Sequence, residues 1–276
     1  MKQTIFILAV AAVLAVGCKH ETKEFTTHSL SNMKCYLLTF DEEFFHFGKV
    51  VGEENSYSVE WPDEGVVSPA AERELKYLCF GDSASASVEV IADQWLESAA
   101  SLRELCDGKF QQVDSLDETV GSYSYFTIES NCLQDNDLAT FLVYKESYGI
   151  GAAHGLYSVN YLTVDKETGN AVHLADLVAD TNLLCEAIAH AIQDLDVNKE
   201  TRDCLFEEFI DVDLMPMPEN FFVDSARNSI TVLYGLYEIT PYCCGIQSVV
   251  LPVFWLSKHA PLTPYAKKLF GSEASL

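Results

Sequence analysis

Between Tyr123 and Val164 the side chains alternate with a period of two in three consecutive runs, and this constrains the fold more than any other feature of the chain. A strand sends successive side chains to opposite faces, so strict alternation marks a strand with two distinct faces. In the first run Tyr123, Tyr125 and Thr127 share one face and Ser124, Phe126 and Ile128 the other. Asp135-Asn136-Asp137 then supplies a turn, since short polar side chains can hydrogen-bond their own backbone there. Residues 138–148 alternate again, with Phe141 and Val143 on one side and Leu142, Tyr144 and Tyr148 on the other. A glycine-rich segment, 149–155, interrupts; 156–164 make the third run, closed by Asp165-Lys166-Glu167-Thr168-Gly169. Strands joined by such short turns are antiparallel neighbours, so this stretch predicts a meander.

The flanking segments add helices. Asp180 is placed to cap a helix whose stripe is Leu184, Ile188, Ala191, Ile192 and Leu195, with Glu186, His190 and Asp194 turned elsewhere. A short helix is predicted over 201–210, a break at Met215-Pro216-Met217-Pro218, strands over 221–223, 230–234 and 246–255, and a last helix over 264–270. Upstream, 35–47 and 57–61 read as strands with a turn over 48–55. Helices are predicted over 69–80, where Pro69 suits a first turn, and over 87–105, with Gly108 just beyond its end. Helices and strands are segregated rather than strictly alternating. The expected class is therefore α+β, an antiparallel sheet packed against helices with a smaller α+β region in front. The division expected is a domain over 119–276 preceded by a region over 34–118.

The first residues read as a processing segment. Residues 5–16 are an unbroken apolar run after Lys2, too short to span a bilayer, and Gly17-Cys18 follows. Leu14-Ala15-Val16-Gly17-Cys18 resembles the lipobox of bacterial lipoproteins. That resemblance implies a signal peptide over 1–17, a diacylglycerol on the Cys18 thiol and cleavage in front of it. Residues 18–33 are polar and read as a tether. The localisation expected is the cell envelope, as an outer-membrane or periplasmic lipoprotein; the charged start of the tether also resembles surface-export tethers.

The formal net charge is −25, from 42 acidic and 17 basic residues. Such a field repels nucleic acid and anionic headgroups and favours a cationic partner, although it also serves plain solubility. Besides Cys18 there are eight cysteines, which an exported chain can pair. Their spacing does not choose among the pairings, and several are equally well read as small buried apolar residues. No C-x-x-C, H-E-x-x-H, G-x-S-x-G, Walker or dinucleotide motif occurs. No cofactor, metal site or catalytic residue is therefore assigned. Cys243-Cys244 is a weak candidate for a redox pair, because neighbouring cysteines close on each other poorly.

The segment GIGAAHGLYSVNYLTVDKETGNAVHLADLV, 149–178, resembles a conserved stretch of the RsiV-like family, domain of unknown function 3298. That stretch has a glycine-glycine-alanine-histidine turn, an aspartate before lysine-threonine-glycine, and a leucine-aspartate-leucine. YEITPYCCGIQSVVLP, 237–252, is similar to the family's tyrosine-glutamate-isoleucine and proline-tyrosine pattern before its last strand. Here Gly151-Ala152-Ala153 stands in place of the double glycine, and Cys243-Cys244 in place of small residues. The resemblance implies an extracytoplasmic module. In the family, one type is an anti-sigma factor that binds lysozyme and another stands beside a polysaccharide deacetylase. With four residues before the apolar run and little chain after the module, the expectation here is the bare extracytoplasmic unit on a lipid.

The candidate ligand-binding residues are His154 in the glycine-rich turn and Tyr157, Tyr237, Glu238 and Tyr242. Tyrosines in a groove suit a sugar ring or a protein partner. The plainer reading is a histidine and hydroxyls that anchor loop backbone. Asp165 and Asp176 are explained by turns and caps. The function expected is a binding or sensing domain for an envelope ligand, either a cationic protein such as lysozyme or a cell-wall glycan. The alternatives are a hydrolase or deacetylase-type enzyme acting on envelope polysaccharide, and a structural envelope protein.

Overall fold

The computed structural model describes residues 24–82, 84–99, 102–117, 120–207, 215–224 and 228–271. The expected signal peptide, Cys18 and the first part of the expected tether lie outside them. The fold is α+β, with a seven-stranded and a three-stranded sheet. The chain runs β1 (Thr27–Thr39), β2 (Val50–Pro62), α1 (Pro69–Phe80), α2 (Val88–Ser98), β3 (Phe110–Val113), β4 (Tyr123–Gln134), β5 (Leu138–Tyr148) and β6 (Leu156–Asp165). It continues with β7 (Ala171–Val172), α3 (Leu174–Leu177), α4 (Thr181–Asp194), α5 (Lys199–Cys204), β8 (Asn220–Asp224), β9 (Ser229–Tyr234), β10 (Gln247–Pro252), α6 (Val253–His259) and α7 (Pro264–Phe270).

The large sheet has the order β3-β1-β2-β4-β5-β6-β7. The meander β4-β5-β6 forms as the alternation requires, with Glu146 opposite both Thr127 and Tyr157. Its inner face carries Ile128, Phe141, Val143, Leu162 and Val164, which pack with Tyr57, Val59 and Trp61 of β2 against α1 and α2. The helix ends follow local chemistry. Ser68 caps α1 by accepting from the Ala71 amide at 3.2 Å, and Asp180 caps α4 by accepting from Asn182 and Leu183. Asp165 holds the Thr168 amide in its turn, and Asp176 accepts from the His173 amide at the start of α3.

Several local expectations are corrected. Residues 27–32, expected in the tether, are strand: β1 begins at Thr27 and pairs with β2 out to Pro62, while Phe25 is buried against Phe141 at 6.2 Å. These residues are polar because this end of β1 is exposed on an edge, where alternation is weak. The turn expected over 48–55 lies earlier. β1 stops at Thr39 and β2 starts at Val50, because Phe40, Phe44 and Phe47 leave the strand to pack with Tyr36, Leu38 and Val51. The helix expected over 87–105 ends at Ser98; Arg103–Cys106 form a separate single turn. The helix expected over 201–210 is α5, ending at Cys204, and 208–214 lie outside the described residues. The strand expected over 246–255 stops at Pro252, and α6 follows.

The junction between β3 and β4 does not divide the sheet. β4 lies parallel to β2, with Gly52 opposite Tyr123 and Ser58 opposite Glu129. β1, β2 and the meander thus share one hydrogen-bonded surface. A buried ion pair stands behind it: Glu53, with no exposed surface, accepts from Arg103 Nε at 3.0 Å and from the Leu102 amide. The Arg103 guanidinium lies 4.1 Å above the Tyr36 ring.

The small sheet, β10-β9-β8, forms a second core with α4, α6 and α7. Two asparagines close its edges. Asn198 brackets β10 by accepting from the Val250 amide and donating to the Val250 carbonyl, at 2.8 and 3.1 Å. Asn220 reaches from β8 to the rim of β6, accepting from the Tyr161 amide at 3.0 Å and donating to the Val159 carbonyl at 2.6 Å. That second pair of bonds fastens the C-terminal lobe to the meander, and it is this junction that positions the site.

Candidate functional site

The outer face of the meander carries β5 residues 144, 146 and 148 together with their cross-strand partners, and it holds a run of tyrosines. Tyr125 stacks on its partner Tyr148 at 6.0 Å, and Tyr144 lies 6.4 Å from Tyr157. Glu146 sits among them. Tyr125 donates to Oε1 at 2.7 Å and Tyr144 to Oε2 at 2.9 Å. These bonds hold both phenols protonated. The hydrogen bond to Glu146, then burial, pushes Tyr125 up to about 12; burial, then the Glu146 bond, does the same for Tyr144.

At the end of this face the β5–β6 loop meets the loop of the C-terminal lobe. His154 stacks on Tyr242 with ring centroids 3.7 Å apart and planes at 20°. The Tyr242 hydroxyl donates to the Gly155 carbonyl at 2.8 Å, and His154 Nδ1 lies 3.0 Å from the same oxygen. With Nδ1 as donor, Nε2 is left as an acceptor facing the Tyr237 hydroxyl at 3.4 Å. Tyr237 and Tyr242 lie 5.6 Å apart, and Tyr157 meets Tyr242 edge-on at 6.5 Å. His154 and Tyr237 are exposed, and Tyr157 and Tyr242 half-buried. Tyr237 has a φ of 65°, a left-handed backbone that a bulky residue adopts only when its surroundings impose it. Gly245 permits the close approach of the two loops, since a Cβ there would lie 3.0 Å from the Tyr157 hydroxyl.

Four of the five sequence candidates therefore converge. Glu238 is the exception in role, because its carboxylate accepts from the Gly235 amide at 2.7 Å and closes its own turn. His154 anchors the turn backbone, as the plainer reading expects, and its ring is exposed. Tyr161 turns away to pack on Phe222 at 4.7 Å. Tyr125, Tyr144 and Glu146 were not singled out from sequence; their signal was the same-face spacing of 144, 146 and 148.

A disulfide joins Cys204 of α5 to Cys244 and ties the Tyr242 turn to the lobe. Cys244 thus pairs across 40 residues and not with its neighbour Cys243, which is free and exposed. Cys35, Cys79 and Cys106 are free and buried. A cleft of about 460 Å³ lined by Glu200, Asp203, Cys204, Cys244 and Gln247 opens behind this disulfide, apart from the ring cluster. Among the described residues no carboxylate hydrogen-bonds His154, and no group of three metal-ligating side chains is assembled. No described helix is long and apolar enough to cross a membrane.

No protein-family model matches the sequence, and no curated protein is a significant relative. Solved structures do match. A DUF3298 family member from Bacteroides fragilis superposes with a TM-score of 0.59 at 18% identity, over 92% of this chain and 98% of its own. The chain has the DUF3298 fold. A DUF3298 family protein from Pseudomonas aeruginosa matches with a TM-score of 0.52 at 16% identity, over 89% of this chain and 97% of its own. The DUF3298 fold thus accounts for β1 to β3 and α1 and α2 as well as the meander and the C-terminal lobe. The match spans both sides of the junction between β3 and β4, consistent with one continuous sheet.

Proposed function

We propose that the chain is an extracytoplasmic lipoprotein, held on a membrane of the cell envelope by lipid on Cys18, whose folded part recognises a basic protein partner. The apolar run ending in Gly17-Cys18 supports the anchor, and a disulfide among the described residues fits an oxidising compartment. The observation that carries the recognition reading is the stack of His154, Tyr242 and Tyr237. Exposed aromatic rings with polar tips, fixed by hydrogen bonds before any ligand arrives, are what binding hot spots are made of. The net charge of −25 supplies the complementarity toward a basic partner.

Calorimetric titration with egg-white lysozyme as a basic probe, and with muropeptides, tests this over a salt series. The expected result is saturable lysozyme binding at low salt that weakens as the screening length falls to about 8 Å near physiological ionic strength. A His154→Ala/Tyr242→Ala double variant should lose most of it. Absence of binding at low salt to either probe overturns the proposal. Muropeptide binding that salt leaves unchanged would instead favour a cell-wall glycan, for which the same tyrosine rings offer stacking surfaces.

A further inference from the structure

We infer that Glu146 and the tyrosines around it form a subsite for a guanidinium group, the side chain of an arginine on the partner. The inference deepens the proposed function and rests on its reading of a basic partner. Glu146 is half-buried on the outer face of the sheet, between Tyr144 and Tyr148 along β5 and between Thr127 and Tyr157 across it. Each carboxylate oxygen accepts one phenol, from Tyr125 and from Tyr144. A carboxylate oxygen has two acceptor sites, so one remains on each oxygen. Among the described residues Glu146 makes no ion pair.

The neighbours on this face add to the negative field. Glu54 stands opposite Tyr125 and Glu129 opposite Tyr144, on the same side as Glu146. Lys145, the nearest lysine in sequence, points to the other face, where burial pulls its ammonium down and Cys79 is its neighbour. Around Glu146 the outer face therefore holds Glu54 of β2 and Glu129 of β4 together with Tyr125, Tyr144, Tyr148 and Tyr157, while Lys145, the one lysine or arginine within β4, β5 and β6, faces the other way.

A planar guanidinium matches this arrangement better than an ammonium. Its fork of N–H donors reaches both oxygens of one carboxylate, and its face stacks on aromatic rings. The stacked pair Tyr125–Tyr148 and the tilted pair Tyr144–Tyr157 stand on either side of the carboxylate. Because both phenols are donors to Glu146, their positions are fixed before a cation arrives, which lowers the ordering cost of binding.

Titration of the full chain with N-acetyl-arginine amide, followed through the tyrosine ring resonances by NMR, tests the inference. The expected result is saturable shifts of the Tyr125 and Tyr144 rings. Binding should be weaker for N-acetyl-lysine amide, and roughly tenfold weaker for Glu146→Gln, as for loss of one charge-assisted hydrogen-bonded partner. Tyr148→Leu, which leaves the carboxylate in place, should also weaken it. Absence of saturable shifts, or equal binding by Glu146→Gln, overturns the subsite. The lysozyme titration separates the two claims. If wild type and Glu146→Gln bind lysozyme equally, the subsite falls and the basic-partner reading stands. If the arginine amide binds at Glu146 and lysozyme does not bind, the subsite stands and that reading falls.

Discussion

Replacing Asn220 by alanine removes two of the bonds that join the C-terminal lobe to the rim of the meander, those to the backbone of β6. The side chain accepts from the Tyr161 amide at 3.0 Å and donates to the Val159 carbonyl at 2.6 Å. Alanine supplies neither, so one backbone N–H and one C=O on β6 lose their partners. Asn220 and Tyr161 are half-buried, so water can approach, and each orphaned group should cost about 1–1.5 kcal/mol, near the lower end for unsatisfied polar groups. The sum is about 2–3 kcal/mol, which for a domain of this size lowers Tm by roughly 4–10 °C. Asn220→Asp should do nearly as badly, because it keeps the acceptor for Tyr161 but sets a carboxylate against the Val159 carbonyl. Urea unfolding of both variants at neutral pH, with the slope checked for two-state behaviour, gives the number. A loss below about 0.5 kcal/mol, the usual scale of a featureless surface change, would refute the idea that this side chain holds the two sheets together.

Arg103→Met should cost about 3–5 kcal/mol, because it leaves the Glu53 carboxylate buried without its cation. Burial already raises the Glu53 pKa above the ordinary carboxylate value, against the Leu102 amide and Arg103. A raised folded-state pKa gives a stability contribution that is present below the unfolded pKa and lost as pH rises through the folded one. Denaturant curves should therefore show the Arg103→Met deficit shrinking at acid pH; a deficit independent of pH contradicts the assignment. Cys204→Ser opens a link spanning 40 residues and should remove roughly 4 kcal/mol by the loop-entropy relation, read from thermal unfolding without reductant. Gly169→Ala should cost about 2 kcal/mol, since Gly169 has a φ of 70° and a Cβ there would lie 3.0 Å from the Val66 carbonyl oxygen. Thermal unfolding of that variant at the wild-type midpoint would show the loop strain to be absent.

The parts of the fold legible in the sequence are those where one local rule acts without competition. The meander was legible because its inner and outer faces see different surroundings, so Phe141 and Val143 alternate cleanly with Tyr144 and Glu146. The α4 cap was legible because Asp180 bonds only its own helix. The start of β1 was hidden, since an exposed edge strand does not select apolar residues at alternate positions. The end of β1 was hidden for the opposite reason: Phe44 and Phe47 continue an apolar pattern that serves a small separate cluster. The parallel pairing of β4 with β2 depends on contacts across more than sixty residues, and no local pattern reports it. The site was half legible. The family resemblance pointed to the turns bearing His154 and Tyr242, but their stacking is a tertiary fact fixed by Asn220, Gly245 and the Cys204–Cys244 link. Glu146 went unremarked because a single acid on a tyrosine-rich strand looks like solvated surface in a chain with 42 acidic residues.

The most direct measurement is a hydrogen-exchange footprint of the full chain with and without saturating lysozyme at low salt. Protection should concentrate in two segments far apart in sequence, 154–161 and 237–245, with a smaller effect over 144–148. Protection confined to other surfaces, such as α6 and α7, with those segments unchanged, would contradict a recognition surface built from the His154 turn and the Tyr242 loop.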